Sequence, residues 1–123
     1  MAAQHHPLKG EFRFEPGSTW DHTVTLYEDG VKADLTNFVS FAMQVRAHRR
    51  NGALLATAAC SIVAFSAPDT YNNEVRMVVD ADDISNDWPA RVHYDLEGTR
   101  GDGTIVRWLY GPGERGPLNC TLV

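Results

Sequence analysis

Residues 91–111 read RVHYDLEGTRGDGTIVRWLYG, a stretch that alternates, turns on glycines and runs on into a second arm. In the first arm Val92, Tyr94 and Leu96 fall on one side and Arg91, His93, Asp95 and Glu97 on the other. That period of two marks a strand with one buried face. The break spans residues 99–103, where Asp102 tolerates positive φ and Gly103 prefers it; its length predicts a bulged hairpin and not a two-residue turn. The second arm, residues 104–110, is apolar at nearly every position. Ile105 and Leu109 are assigned to one face and Val106, Trp108 and Tyr110 to the other, so this strand is expected to contact protein on both sides.

The same alternation recurs outward from this hairpin. Phe12 and Phe14 begin it, and Glu15-Pro16-Gly17-Ser18 turns the chain. Residues 19–27 (TWDHTVTLY) form a second alternating run, and Asp29-Gly30 closes a tight hairpin over residues 26–32. Asp34-Leu35-Thr36-Asn37 predicts a corner held by side-chain to backbone hydrogen bonds. Residues 38–46 follow as a long strand with Val39, Phe41, Met43 and Val45 in phase. Residues 54–65 carry one or two strands, because the alanine-rich ALLATAA is short and leads into Cys60-Ser61-Ile62-Val63. Residues 74–80 are a strand. Residues 82–88 allow one helical turn, with Ile84 and Trp88 spaced i to i+4 and Pro89 stopping it. Residues 118–123 can add a last edge strand. About seven or eight short strands, with turn signals roughly every 8–12 residues and no long amphipathic helix, is the sequence form of an all-β antiparallel sandwich or barrel.

Composition narrows the class. A chain of 123 residues, 43% hydrophobic and 22% charged, is expected to form a single domain over residues 11–123 behind an extended arm, residues 1–10. The longest apolar run, residues 53–59, is too short to span a bilayer, and no charged and apolar leader opens the sequence, so synthesis in a cytoplasm is expected. A net charge of −5 disfavours nucleic acid, and the basic cluster of Arg46, His48, Arg49 and Arg50 reads as a solvated strand end. Cys60 and Cys120 lie too far apart for a zinc motif and are expected to stay reduced.

Catalysis needs convergent groups, and the sequence offers none. No serine sits in a nucleophile elbow and no histidine has a partner pattern, so no catalytic residue, no cofactor site and no enzymatic activity is expected. His22, in phase with Trp20 and Val24, reads as a hydrogen-bonded histidine at the core. Asp80, Asp82 and Asp83 lack the glycine and terminal glutamate of a calcium loop and are assigned to helix capping. The adjacent pair His5 and His6 lacks the further ligands a metal requires, so no metal site is assigned. Arg100-Gly101-Asp102 is assigned to the hairpin turn, not to adhesion.

The order of several turn and strand motifs is similar to a known group. Gly17-Ser18-Thr19-Trp20, Asp29-Gly30, Asp34-Leu35-Thr36-Asn37-Phe38, Phe41-Ala42-Met43-Gln44-Val45-Arg46, Tyr94-Asp95-Leu96-Glu97, Asp102-Gly103 and Tyr110-Gly111, spread over residues 16–111, resemble small tailed-bacteriophage virion proteins. The likeness is to the β-sandwich domains at the N-terminus of baseplate upper proteins and to related tail or neck modules. It implies an immunoglobulin-like sandwich and a structural role joining tail, baseplate, fibre or neck proteins of a virion, often in several copies. The family's C-terminal attachment region has no counterpart before Val123, which implies an adaptor. Two alternatives are a capsid decoration protein and a carbohydrate-binding sandwich using Trp20, Trp88, Trp108 and Tyr110. The expected partner interface, with another copy or another virion protein, is Val106, Trp108 and Tyr110 together with the arm carrying His5 and His6.

Overall fold

The structure, a computed structural model, describes residues 8–9, 12–49 and 51–115. His5, His6, Cys120 and the strand expected at 118–123 lie outside the described residues. Among the described residues ten strands follow in chain order: β1 (Leu8–Lys9), β2 (Phe12–Phe14), β3 (Trp20–Thr25), β4 (Tyr27–Glu28), β5 (Val31–Lys32), β6 (Phe38–Ala47), β7 (Leu54–Val63), β8 (Glu74–Val79), β9 (Arg91–Arg100) and β10 (Ile105–Arg115). A single 3₁₀ turn, Ala81–Asp83, precedes β9.

The main sheet runs β1-β10-β9-β6-β7-β8-β3, with β2 also on β10, and β4 pairs β5 separately. Its curl is made by β7. The first half of that strand pairs β6, from Arg46↔Leu54 to Met43↔Ala58, and the second half pairs β8, from Ala59↔Val78 to Val63↔Glu74. One strand thus passes from layer to layer. β6, β9 and β10 with the first half of β7 form one layer; β3, β8 and the second half of β7 form the other. This is the arrangement of an immunoglobulin-like β-sandwich. The N-terminal strands run parallel to β10, Leu8 beside Leu109 and Phe12 beside Gly113, so part of the expected arm is a sheet strand.

The core lies between the layers. Val92, Tyr94 and Leu96 of β9 face Val75, Met77 and Val79 of β8, and each is at most 1% exposed. Tight turns set the strands in register. Asp29 and Gly30, at φ 54° and 81°, make the two-residue turn between β4 and β5. At the central hairpin Gly103 N–H donates to Arg100 O (2.9 Å) and Arg100 N–H to Thr104 O (2.8 Å), with Gly103 at φ 91°. This is the expected bulged loop. The Asp34 corner also forms as expected: its Oδ1 accepts from Thr36 N–H at 2.9 Å. Ile84 and Trp88 anchor the turn after β8 in the core, but Asp80 at its start makes no side-chain capping bond.

Bulges overturn two facing assignments. The register of β6 against β9 shifts between Phe38 and Ser40, which turns Phe38 inward and leaves Val39 67% exposed. The register of β10 against β9 shifts between Arg107 and Leu109, so Trp108 and Leu109 are both buried. The outer face of β10 therefore carries Ile105, Arg107 and Tyr110, not a second row of large buried groups.

Candidate interaction surfaces

Of the residues expected at a partner interface, Val106 (6% exposed) and Trp108 (3%) belong to the chain's own core. The Trp108 indole packs edge-on against Phe38, centroids 5.7 Å apart. The physical reason is that Val106 and Trp108 share the row that faces the core, while the bulge that follows brings Leu109 inward as well and turns Tyr110 out of that row. Of the three on β10, Tyr110 alone reaches the outer face, where the Arg107 guanidinium lies 5.7 Å from its ring centroid.

Pairing across β10, β9 and β6 lines up polar residues on that outer face. Tyr110 stands opposite Asp95 and Asp95 opposite Gln44; Arg107 stands opposite Glu97. Gln44, Arg46, Asn51, Asp95 and Glu97 line a depression of about 360 Å³. Arg46 is held at its wall, donating from Nη2 to Gln44 Oε1 (2.8 Å) and from Nη1 to Gly52 O (3.1 Å). Of the basic cluster of the sequence, Arg46 lies at the end of β6 and His48, at φ 61°, and Arg49 lie in the bend that follows, while Arg50 is outside the described residues. These groups can hydrogen-bond a ligand or a protein surface, but they include no nucleophile set beside a base. Among the described residues no group of three or more His, Cys, Asp or Glu is placed to hold a metal ion. A second depression, about 290 Å³, is lined by Asn37, Arg100, Gly101 and Asp102 at the hairpin tip. There Gly101 N–H donates to Asn37 O (3.0 Å) and Asp102 Oδ1 accepts from Thr104 N–H (2.9 Å), so the tripeptide is occupied in building the turn.

His22 departs from its expected role. Its ring stacks on Trp20 (centroids 5.6 Å, 18°) and lies 5.3 Å from Phe12, while its buried Nε2 has no hydrogen-bond partner. Burial holds the imidazole below the usual histidine pKa, offset in part by the Asp21 carboxylate.

The sequence reading missed the free side of β3. On its other side β3 pairs β8 from Trp20↔Val79 to Thr25↔Glu74. Leu26 N–H, directly opposite Asn73, donates to Asn73 O at 2.9 Å, which fixes the alternation of the ladder. Trp20, His22 and Val24 turn their main-chain groups to β8, and Asp21, Thr23 and Thr25 turn theirs away. Among the described residues nothing pairs that side. A run free of Pro, Gly and Lys was the available signal in the sequence.

No protein-family model and no curated protein matches the chain.

Proposed function

We propose that this protein is a non-enzymatic structural module of a tailed-phage virion, joining tail or baseplate components after synthesis in the host cytoplasm. The observation that carries the reading is where the resembling motifs fall on the fold. Gly17 and the Asp29-Gly30 and Asp102-Gly103 pairs sit in turns, the Asp34 to Asn37 segment forms a corner, and the remaining motifs lie in β6, β9 and β10. Motif order and spacing thus track an immunoglobulin-like frame and not a chemical site. The outer face of β10, β9 and β6 offers partners a polar surface of Tyr110, Gln44, Asp95 and Glu97 with a depression among the last three, and Ile105 and Val39 are more than 60% exposed near the hairpin end. A capsid decoration role uses the same surface at another location. The carbohydrate reading keeps Tyr110 alone, because Trp20, Trp88 and Trp108 are only 5%, 5% and 3% exposed and present no ring face to a sugar.

Mass spectrometry of purified particles, followed by a cryo-EM map, tests the proposal. The chain is expected in stoichiometric amount at the tail or baseplate; its absence from intact particles ends the reading.

A further inference from the structure

We propose that the open edge of β3 pairs antiparallel with the β3 edge of a second copy of this chain, across a twofold axis at Thr23. The inference rests on the sheet edges and does not depend on the virion reading.

The two ends of the main sheet are treated differently. On β10 the edge is covered by the chain's own β1 and β2. The β3 end has no such cover among the described residues, and its six residues, WDHTVT from Trp20 to Thr25, run without a bulge, a proline or a lysine. Those are the devices that normally blunt an exposed edge. An unblunted strand with outward-turned N–H and C=O groups at Asp21, Thr23 and Thr25 is a template for another strand.

Charge does not oppose a second copy at this edge. At a net charge of −5 two copies repel over most of their surface. Along β3 the outward residues are Asp21, Thr23 and Thr25, and the single carboxylate is neutralised by Arg76, through Nε to Oδ1 (3.0 Å) and Nη2 to Oδ2 (2.6 Å). The edge is also self-complementary. With Thr23 opposite Thr23, Asp21 of each copy stands opposite Thr25 of the other, and each of these pairs can exchange two main-chain hydrogen bonds. The two Asp21 carboxylates then sit at opposite ends of the seam, and a threonine pair occupies its centre, a favourable cross-strand pairing. Because the contact is isologous, it uses the β3 edge of both copies and closes as a dimer.

Sedimentation of the full chain over a concentration series is the test. The expected result is a shift from the 13.7 kDa monomer to twice that mass. Thr23→Pro removes an N–H that points at the edge and leaves the bonds to β8 intact, and Thr23→Lys sets two ammonium groups face to face. Both variants are expected to stay monomeric where the unmodified chain is dimeric, and to melt as it does at concentrations low enough for the unmodified chain to be monomeric. Amide exchange on the unmodified chain needs no variant: Asp21, Thr23 and Thr25 should gain protection as concentration rises. A monomer at every concentration, a dimer that survives both substitutions, or an assembly larger than two overturns the proposal. So does protection of these amides that is complete at the lowest concentration, which assigns the edge to a segment of the same chain.

Discussion

Phe12 and Trp20 stand at the two ends of one curled sheet, and their rings meet edge to face with centroids 4.9 Å apart. Phe12 also lies 4.4 Å from Tyr94, and Phe14 lies 4.9 Å from Trp20 and 5.7 Å from Trp88. An aromatic seam therefore joins the layers where no main-chain ladder does, with β2 and β3 consecutive in the chain. Phe12→Ala is expected to cost about 3–5 kcal/mol, the range for deleting a buried phenylalanine ring. Urea denaturation checks it; a loss under about 1 kcal/mol would mean that the ladders alone hold the layers together.

Trp108 and Tyr110 separate core from surface on one strand. Trp108→Ala is expected to cost about 3–5 kcal/mol, because the indole is buried against Phe38. Tyr110→Ala should leave stability within about 1 kcal/mol, since its half-buried ring lies on the outer face. Melting curves of the two isolated variants decide the matter, and equal losses would contradict the bulge at residues 107–109.

Gly98 faces inward opposite Phe41 on β6 and Val106 on β10. A Cβ placed there would meet Phe41 Cε2 at 2.6 Å and Phe38 Cδ2 at 2.9 Å. Gly98→Ala is therefore expected to destabilise by about 1–3 kcal/mol through overpacking, although alanine favours a strand more than glycine does. An equal or higher denaturation midpoint would show that the Phe38 and Phe41 rings yield freely.

These contrasts show what the sequence could disclose. The alternation of Val92, Tyr94 and Leu96 is regular, and their burial follows directly from it. Val39, Leu109 and Tyr110 break the rule because bulges change the facing of a strand without changing its composition, and two adjacent apolar residues such as Trp108 and Leu109 read the same whether one or both are buried. The passage of β7 between layers is not local: Ala58 and Ala59 look alike, and only their partners in β6 and β8 distinguish them. The open edge of β3 likewise depends on where every other strand goes. The polar depression draws on Gln44, Asn51 and Asp95 from distant parts of the chain, each unremarkable alone.

Cys60 supplies a chemical probe of the core. Its thiol is half-buried, and burial pushes its pKa up to about 11, offset in part by a backbone hydrogen bond from Met43. Roughly one molecule in a thousand would carry the thiolate at pH 8, so reaction with an aromatic disulfide reagent should be on the order of a hundredfold slower than in the unfolded chain. Unfolding without reductant should release two titratable thiols, the second from Cys120. Rapid labelling of Cys60 in the native state, or no thiols after unfolding, would contradict these expectations.

The imidazole of His22 gives the seam a pH dependence whose sign follows from its surroundings. Burial against Phe12 and Trp20 lowers its pKa in the folded chain, whereas the unfolded chain titrates near about 6.5. Of its neighbours, Asp21 alone is a charged group that opposes the shift, and Arg76 already engages that carboxylate; Met77, opposite on β8, is apolar. Above the unfolded pKa both states are neutral and His22 contributes nothing to the pH dependence. As pH falls through that value the unfolded chain binds the proton first, so stability declines until the folded imidazole also titrates. Asp21, Asp34, Asp69 and Asp102, whose pKa values are lowered by hydrogen bonds, lose their contributions in a separate and more acidic window, below the ordinary carboxylate range. Melting temperatures between pH 7.5 and 5 should therefore fall for the unmodified chain and fall less for His22→Phe, which keeps the ring stack and cannot titrate. Parallel profiles for the two proteins would show that the seam tolerates the imidazolium.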